Sequence, residues 1–412
     1  MHLAIAVSCA LLALATIFNG QANGQQISSE MKQIMLENCK NQPGGCEADL
    51  EEFKKEREEL EEFLIEELEF EEDLPEEEAK KQVEERLQKI QELKTLIHAE
   101  MGIPEIPPAN DGLFEGDIML TTKQAQDMID EIKGRSKRAA SIFFESKADY
   151  LWKIPIHYWV NTTVITKEQE NDMDEGIKMI TQAVPCLVFQ KDDAPLKSGS
   201  QIHLISRGTG CGGSSYVGHY GINPVIINAD SPTCRGDTLK STVIHEVIHA
   251  LGGGHEQSRT DRDKYIEVLW GNIISQRALN YYMRNGSTSY GAPYDYKSIM
   301  HYWNGAFRNA SNVDTMRVLQ GGDTVLGGNR MTNSDILQLK RMYCSTCKDT
   351  QSECGTRALS GGCDQENTRT ECPRSCGQCD QGGGGVTGGS GNETQVEGDY
   401  TQAFQNPGNY GK

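Results

Sequence analysis

The stretch His245-Glu246-Val247-Ile248-His249-Ala250-Leu251-Gly252-Gly253-Gly254-His255-Glu256 decides how this chain is read. Leu239, Val243, Val247 and Leu251 recur at helical spacing ahead of and through it, with Asp237 as a candidate cap and Gly252 as a stop. His245 and His249 are four residues apart, so a helix carries both imidazoles on one face. Two imidazoles one turn apart can hold Zn2+, and Glu246 between them can act as base on a water at the metal. Gly252 lets the chain reverse so that His255 supplies a third ligand. The competing reading is three buried histidines without a metal. The joint occurrence of the three histidines, Glu246, Gly252 and Glu256 argues against it.

Composition bounds the setting of this site. The chain has 412 residues, 13 Cys and a formal charge of -20. Residues 1–138 hold 31 acidic and 15 basic side chains, so most of the excess lies there. That balance argues against a protein that grips phosphate backbones, and no nucleic-acid partner is expected. Leu3 to Phe18 is an apolar run too short to span a bilayer, followed by the small residues Ala22 and Gly24. Residues 1–24 read as a secretory signal peptide. No membrane span is expected, and the product reads as secreted and extracellular. Removing the signal takes Cys9 and leaves 12 Cys, an even number suited to disulfides in an oxidising compartment. Asn161, Asn285, Asn309 and Asn392 head N-x-S/T glycosylation triplets.

Composition also divides the chain. Glu47 to Glu78 is dominated by Glu, and Phe53, Leu60, Phe63, Leu64 and Leu68 line one helical face within it. A second helical pattern after Pro75 runs through Val83, Leu87, Ile90, Leu93 and Ile97. This segment reads as a solvated acidic helix with no binding role. Cys39 and Cys46 bracket a turn-rich loop that a local disulfide could close. Residues 102–112 carry three Pro and read as an extended linker. Arg135-Ser136-Lys137-Arg138 precedes Ala139-Ala140, a site suited to a furin-like processing protease cutting between Arg138 and Ala139. Residues 25–138 would then be a removable propeptide.

From Tyr150 the character becomes β-rich. Trp152, Ile154, Ile156, Tyr158 and Val160 alternate as in a half-buried strand. Ile202 to Ile205 and Val225 to Ile227 are further strand candidates, and Thr166 to Ala183 reads as a helix. Cys347, Cys354, Cys363, Cys372, Cys376 and Cys379 then crowd into a short stretch and read as a disulfide scaffold. A structural zinc is the competitor, but His is absent and the two-pair spacing is wrong. Six Cys allow fifteen pairings, and spacing does not choose among them. Residues 380–412 are Gly-rich and polar, a tail without a core.

The extended zinc motif resembles that of the metzincin proteases. Glu256-Gln257-Ser258-Arg259-Thr260-Asp261-Arg262-Asp263, the Met-turn-like Ser298-Ile299-Met300-His301-Tyr302 and the cleft-strand-like Cys211 to Gly218 are similar to the astacin family in particular. The resemblance covers roughly residues 150–344 and places a peptidase domain at 139–346. It implies an α+β fold, a two-lobed catalytic domain with one Zn2+ at the bottom of a cleft. It also implies disulfides Cys186–Cys344 and Cys211–Cys234.

The roles that this resemblance implies are specific. His245, His249 and His255 hold Zn2+. Glu246 takes a proton from the attacking water and passes it to the leaving amine of a protein or peptide substrate. Tyr302 is a further ligand that swings away to hydrogen-bond the tetrahedral intermediate. Met300 forms a floor beneath the metal. Glu256 meets the new N-terminus after processing. Trp152 lies thirteen residues after Ala139, a few more than the family spacing, which puts that last contact in question. Phe114-Glu115-Gly116-Asp117 resembles the F-x-G-D motif of astacin propeptides, in which Asp117 would block the zinc and keep a zymogen latent. A thiolate from Cys39 or Cys46 is the rival inhibitor.

Residues 347–379 resemble the ShK-type domain of sea-anemone toxins, which implies Cys347–Cys379, Cys354–Cys372 and Cys363–Cys376 pairing. Asp364 to Glu371 lacks the Lys-Tyr pair with which some members block potassium channels, which speaks against ion-channel binding. The alternative function from another class is a toxin or binding protein acting through this module. A venom or nematocyst setting enters by analogy alone.

Overall fold

The computed structural model describes residues 27–134, 151–207, 211–229, 234–284, 289–320, 325–344 and parts of 350–376. The signal peptide, the Arg138–Ala139 junction, Asn285, Cys347, Cys379, Asn392 and the Gly-rich tail lie outside the described residues.

The N-terminal third is helical. Helix α1, Ser29–Asn41, starts where Ser28 accepts from Met31 N. Helix α2 is Glu51–Glu72, and α3 is Glu76–Glu100, which begins after Pro75. Proline suits a helix start because its missing N–H is not needed there. The two helices pack through the apolar faces read from the sequence: Phe53, Leu60, Phe63, Leu64, Val83, Leu87, Ile90, Leu93 and Ile97 are all buried. At about 1.5–3 kcal/mol per buried apolar side chain, this is the main stabilisation of the segment. The reading of α2 as solvated and without a binding role is corrected here. Glu56 reaches Arg277 at 2.7 Å and Glu66 reaches Arg207 at 2.6 Å, both on the C-terminal side of the chain. The linker reading of residues 102–112 is also corrected. Ile103, Ile106, Ala109 and Asp111 are buried, because the three Pro forbid helix while the apolar residues still find a core.

A six-stranded sheet organises the rest, in the order β1-β5-β6-β4-β2-β3. The strands are β1 Ile118–Met119, β2 Ile156–Val160, β3 Phe189–Lys191, β4 Gln201–Ser206, β5 Gly213–Tyr216 and β6 Ile222–Ile227. Strands β2, β3, β4 and β6 are mutually parallel; β5 runs antiparallel to β6. The N-terminal segment supplies β1, an edge strand that pairs parallel to β5. The period-two pattern becomes strand only from Ile156; Ile154 is exposed and Trp152 instead donates Nε1–H to Ala250 O at 2.7 Å.

Between β1 and β2 comes α4, Thr122–Ile132, opened by a Thr121/Gln124 capping box. Helix α5, Lys167–Ala183, starts on a second box formed by Thr166 and Gln169. Helix α6, Asp237–Ala250, packs on the sheet and buries Leu239, Val243, Ile244, Val247 and Ile248. Gly236 at φ 56° precedes it, so Asp237 is its first residue rather than its cap; its carboxylate still suits the positive helix end. Beyond α6 the chain is mostly irregular, with a two-stranded ribbon of β7, Ile266–Val268, and β8, Met316–Val318. Helix α7, Asn333–Leu339, follows, and a short helix α8, Glu366–Glu371, lies in the C-terminal cysteine segment.

Disulfides join Cys39–Cys46, Cys186–Cys344, Cys211–Cys234, Cys354–Cys372 and Cys363–Cys376. Among the described residues no helix is long and apolar enough to cross a membrane.

Candidate metal centre and catalytic site

Helix α6 presents His245 and His249 on the face turned to the irregular half of the chain. Gly252 adopts φ 104°, a conformation glycine accepts without strain, and the chain folds back. The reversal places the rings of His249 and His255 with centroids 4.7 Å apart, and those of His245 and His249 at 4.8 Å.

Each imidazole is oriented by its second nitrogen. His245 Nδ1 lies 2.8 Å from Ile299 O, and His249 Nδ1 lies 2.8 Å from Gly253 O. Both Nδ1 atoms therefore donate, which turns the Nε2 lone pairs inward. His255 Nδ1 meets Glu115 Oε2 at 2.9 Å instead.

The fourth group is Asp117. Its Oδ2 lies 3.1 Å from His255 Nε2 and 3.4 Å from His245 Nε2, and its Oδ1 lies 3.8 Å from His249 Nε2. Asp117, His245, His249 and His255 offer four ligand atoms within 4.8 Å of one another. Ligands about 2.1 Å from a common tetrahedral centre stand about 3.4 Å apart, so the donor set fits zinc. Among the described residues, His249 Nε2 and Asp117 Oδ1 are buried without a hydrogen-bond partner, as groups arranged for a metal are. Burial would raise the Asp117 carboxyl, but His255, His245 and His249 outweigh it and hold it well below the usual carboxylate range.

Glu246 sits under this cluster at 2% exposure. Burial pushes its carboxyl well above the usual range, and Oε2 has no hydrogen-bond partner among the described residues. Gly213 of β5 makes room for it. A Cβ there would lie 2.6 Å from Glu246 Cγ and 2.7 Å from Ile226 O.

The Met-turn residues close the site from below. Asp335 accepts from Ser298 Oγ and, at 3.2 Å, from Ile299 N, while also serving the Thr332 capping box of α7. One carboxylate thus ties the helix start to the turn that carries Met300, itself buried. Tyr302 donates its hydroxyl to Glu115 O, and its ring centroid lies 4.7 Å from that of His255. Glu256 faces Arg259 at 2.9 Å and accepts from Asp295 N at 2.8 Å; burial raises its carboxyl to about 7. Asn161 is half-buried just after β2, and Asn309 is exposed with Nδ2 donating to Gly271 O.

Two residues beside the centre, Glu115 and Arg284, and one pair apart from it, Asp111 and Arg277, were not assigned from the sequence. Glu115 is fully buried, with Arg284 Nε 3.4 Å from its Oε1. Asp111 is held by Lys94 on Oδ1 at 2.5 Å and by Arg277 on Oδ2 at 2.8 Å. Partners this distant in sequence leave no local pattern to read.

An α+β domain that gathers three histidines from one H-E-x-x-H-x-x-G-x-x-H run, with a buried Glu between the first two, has the architecture of a zinc metallopeptidase. Residues 144–344 match the model of the astacin peptidase family, so this stretch is a domain of that family. Zinc metalloproteinase nas-10 of Caenorhabditis elegans is 34% identical over 303 residues, which cover 66% of this chain and 54% of that protein. Human meprin A subunit beta is 30% identical over 254 residues, covering 59% of this chain and 31% of that one. High choriolytic enzyme 1, a hatching enzyme zinc-protease from Oryzias latipes, aligns with 50% of this chain and 95% of its own at 26% identity and a TM-score of 0.41. The chain spans about half the length of the first of these relatives.

Proposed function

We propose that this chain is a secreted zinc endopeptidase of astacin type, held latent by a propeptide, residues 25–138, and activated by its removal. The observation that carries this reading is Asp117, whose carboxylate stands inside the three-histidine cluster. His245, His249 and His255 would hold the zinc, and Asp117 would occupy the position that the attacking water needs. Zinc, when bound, supplies Lewis-acid polarisation of the water and of the peptide carbonyl.

The chain's own residues account for the rest. Glu246 takes the proton of the attacking water on its carboxylate and delivers it to the leaving nitrogen. Tyr302, freed from Glu115 O when the propeptide leaves, can turn its hydroxyl toward the oxyanion that develops on the substrate. The Cys39–Cys46 bond removes the rival thiolate inhibitor. Processing at Arg138–Ala139, a docking role for residues 347–379 and a salt contact between Glu256 and the new N-terminus complete the reading. An animal venom or nematocyst setting remains analogy and carries none of it.

The test is a peptide-library digest by the processed protein with and without a zinc chelator, beside Glu246→Ala. The variant should keep its metal by elemental analysis and lose about 100- to 10,000-fold in kcat/KM. Wild-type turnover by folded, metal-loaded Glu246→Ala would remove Glu246 from the chemistry.

A further inference from the structure

The segment that blocks the site is built into the peptidase unit rather than laid over it. Phe114, Ile118 and Leu120 share one hydrophobic core with Val217, Ile226 and Leu279 of the unit that follows. Strand β1 extends the main sheet, and Ser215 N donates to Asp117 O at 3.0 Å. Ala109 N donates to Gln276 O at 2.9 Å. Helix α1 adds Asn38 Nδ2 to Gly271 O and accepts Ser275 Oγ on Met35 O, both at 2.8 Å.

Charge reinforces the same contact. Arg277 is buried and meets two carboxylates of the N-terminal segment, Asp111 at 2.8 Å and Glu56 at 2.7 Å. Asp111 is already fixed by Lys94 of its own segment, so the acceptor is set before it meets Arg277. A preorganised, desolvated charge pair of this kind lengthens residence more than it speeds encounter.

None of the disulfides between described residues crosses from this segment to the peptidase unit; Cys39–Cys46 lies wholly within the segment. After processing, only non-covalent contacts among the described residues would hold the two parts.

We propose, resting on the zymogen reading above, that cutting between residues 134 and 151 does not by itself open the site. The propeptide stays seated as a non-covalent inhibitor, anchored by Asp111 and Glu56 on Arg277. Activity appears when it dissociates or is cut again.

The experiment uses the full chain with residues 135–138 replaced by the recognition sequence of an unrelated, specific protease. The chain is nicked to completion and followed by gel filtration and by hydrolysis of a short peptide. At micromolar concentration the fragments should co-elute with less than about a tenth of the activity of the separated peptidase, and activity should rise slowly on dilution. The double variant Asp111→Asn, Glu56→Gln leaves the peptidase unit unchanged and should release at least about tenfold faster after nicking.

Fragments that separate with full activity at the moment of cutting overturn the inference while leaving latency of the uncut chain intact. Co-elution with no activity at any dilution overturns dissociation as the activating step. A nicked double variant that releases no faster than the parent overturns the two carboxylates as anchors. An uncut chain that is already fully active overturns the zymogen reading and this inference together.

Discussion

Glu115 Oε2 lies 2.9 Å from Nδ1 of His255, so the third histidine of the motif meets a carboxylate of the N-terminal segment at each of its ring nitrogens. Glu115 is fully buried and also faces Arg284 Nε at 3.4 Å. Removing one partner of a buried charged set leaves the others desolvated, at about 3–5 kcal/mol. Glu115→Ala should therefore lower the unfolding midpoint of the uncut chain by several degrees. The isolated peptidase, once stripped of its propeptide, should melt at the same temperature whether it came from variant or parent. Calorimetry on both forms checks the pair.

Asp117→Ala removes the carboxylate from the three-histidine cluster without touching the rest of the propeptide. The uncut variant should hydrolyse a short peptide at least about tenfold faster than the uncut parent while its propeptide remains attached, because the blocking ligand is gone. An uncut Asp117→Ala chain as silent as the parent would assign latency to coverage of the cleft instead. A gel of the assay mixture shows that no cut has occurred.

Gly213→Ala tests the space beneath Glu246. The added Cβ would stand 2.6 Å from Glu246 Cγ and 2.7 Å from the Ile226 carbonyl. Neither can yield freely, since one is buried and the other belongs to β6. Displacing a base by a fraction of an ångström costs up to about 100-fold, so kcat/KM of the processed enzyme should fall by about 10- to 100-fold. Metal content should stay at the parent value.

His98 makes the N-terminal helical segment sensitive to acid. Burial holds its pKa at about 4, with Lys94 nearby acting in the same direction against the Ile106 carbonyl. The neutral ring is the form that folds, and its Nε2 has no hydrogen-bond partner among the described residues. A histidine near 6.5 when unfolded and near 4 when folded contributes fully above pH 6.5 and loses that contribution as pH falls toward 4. The loss reaches about 3 kcal/mol. Stability of the uncut chain should fall across this window, and His98→Leu should show a shallower fall. Denaturant titrations at pH 7, 5.5 and 4.5 compare the two slopes.

The metal motif is legible because its chemistry is local. A four-residue step on a helix and one glycine reversal bring His245, His249 and His255 together with little help from the rest of the chain. The apolar faces of α2 and α3 are legible for the same reason, since helical period alone aligns Phe53 to Leu68 and Val83 to Ile97. What those faces cover was not. The solvated-helix reading failed because Glu56 and Glu66 find arginines 221 and 141 residues away.

Sequence by itself pointed to the three histidines and Glu246 as candidate ligands and base, and carried the breaks in composition and the family resemblance. Only tertiary structure decided how Asp117, to which the motif pointed, is seated among the histidines, and that Glu115 stands behind His255. Asp117 meets His255 from 138 residues away, Glu115 from 140, and Asp111 meets Arg277 across 166. The physical reason is that a buried ion pair is chosen by which surfaces close over it, and hydrophobic burial, which has no direction, sets that closure.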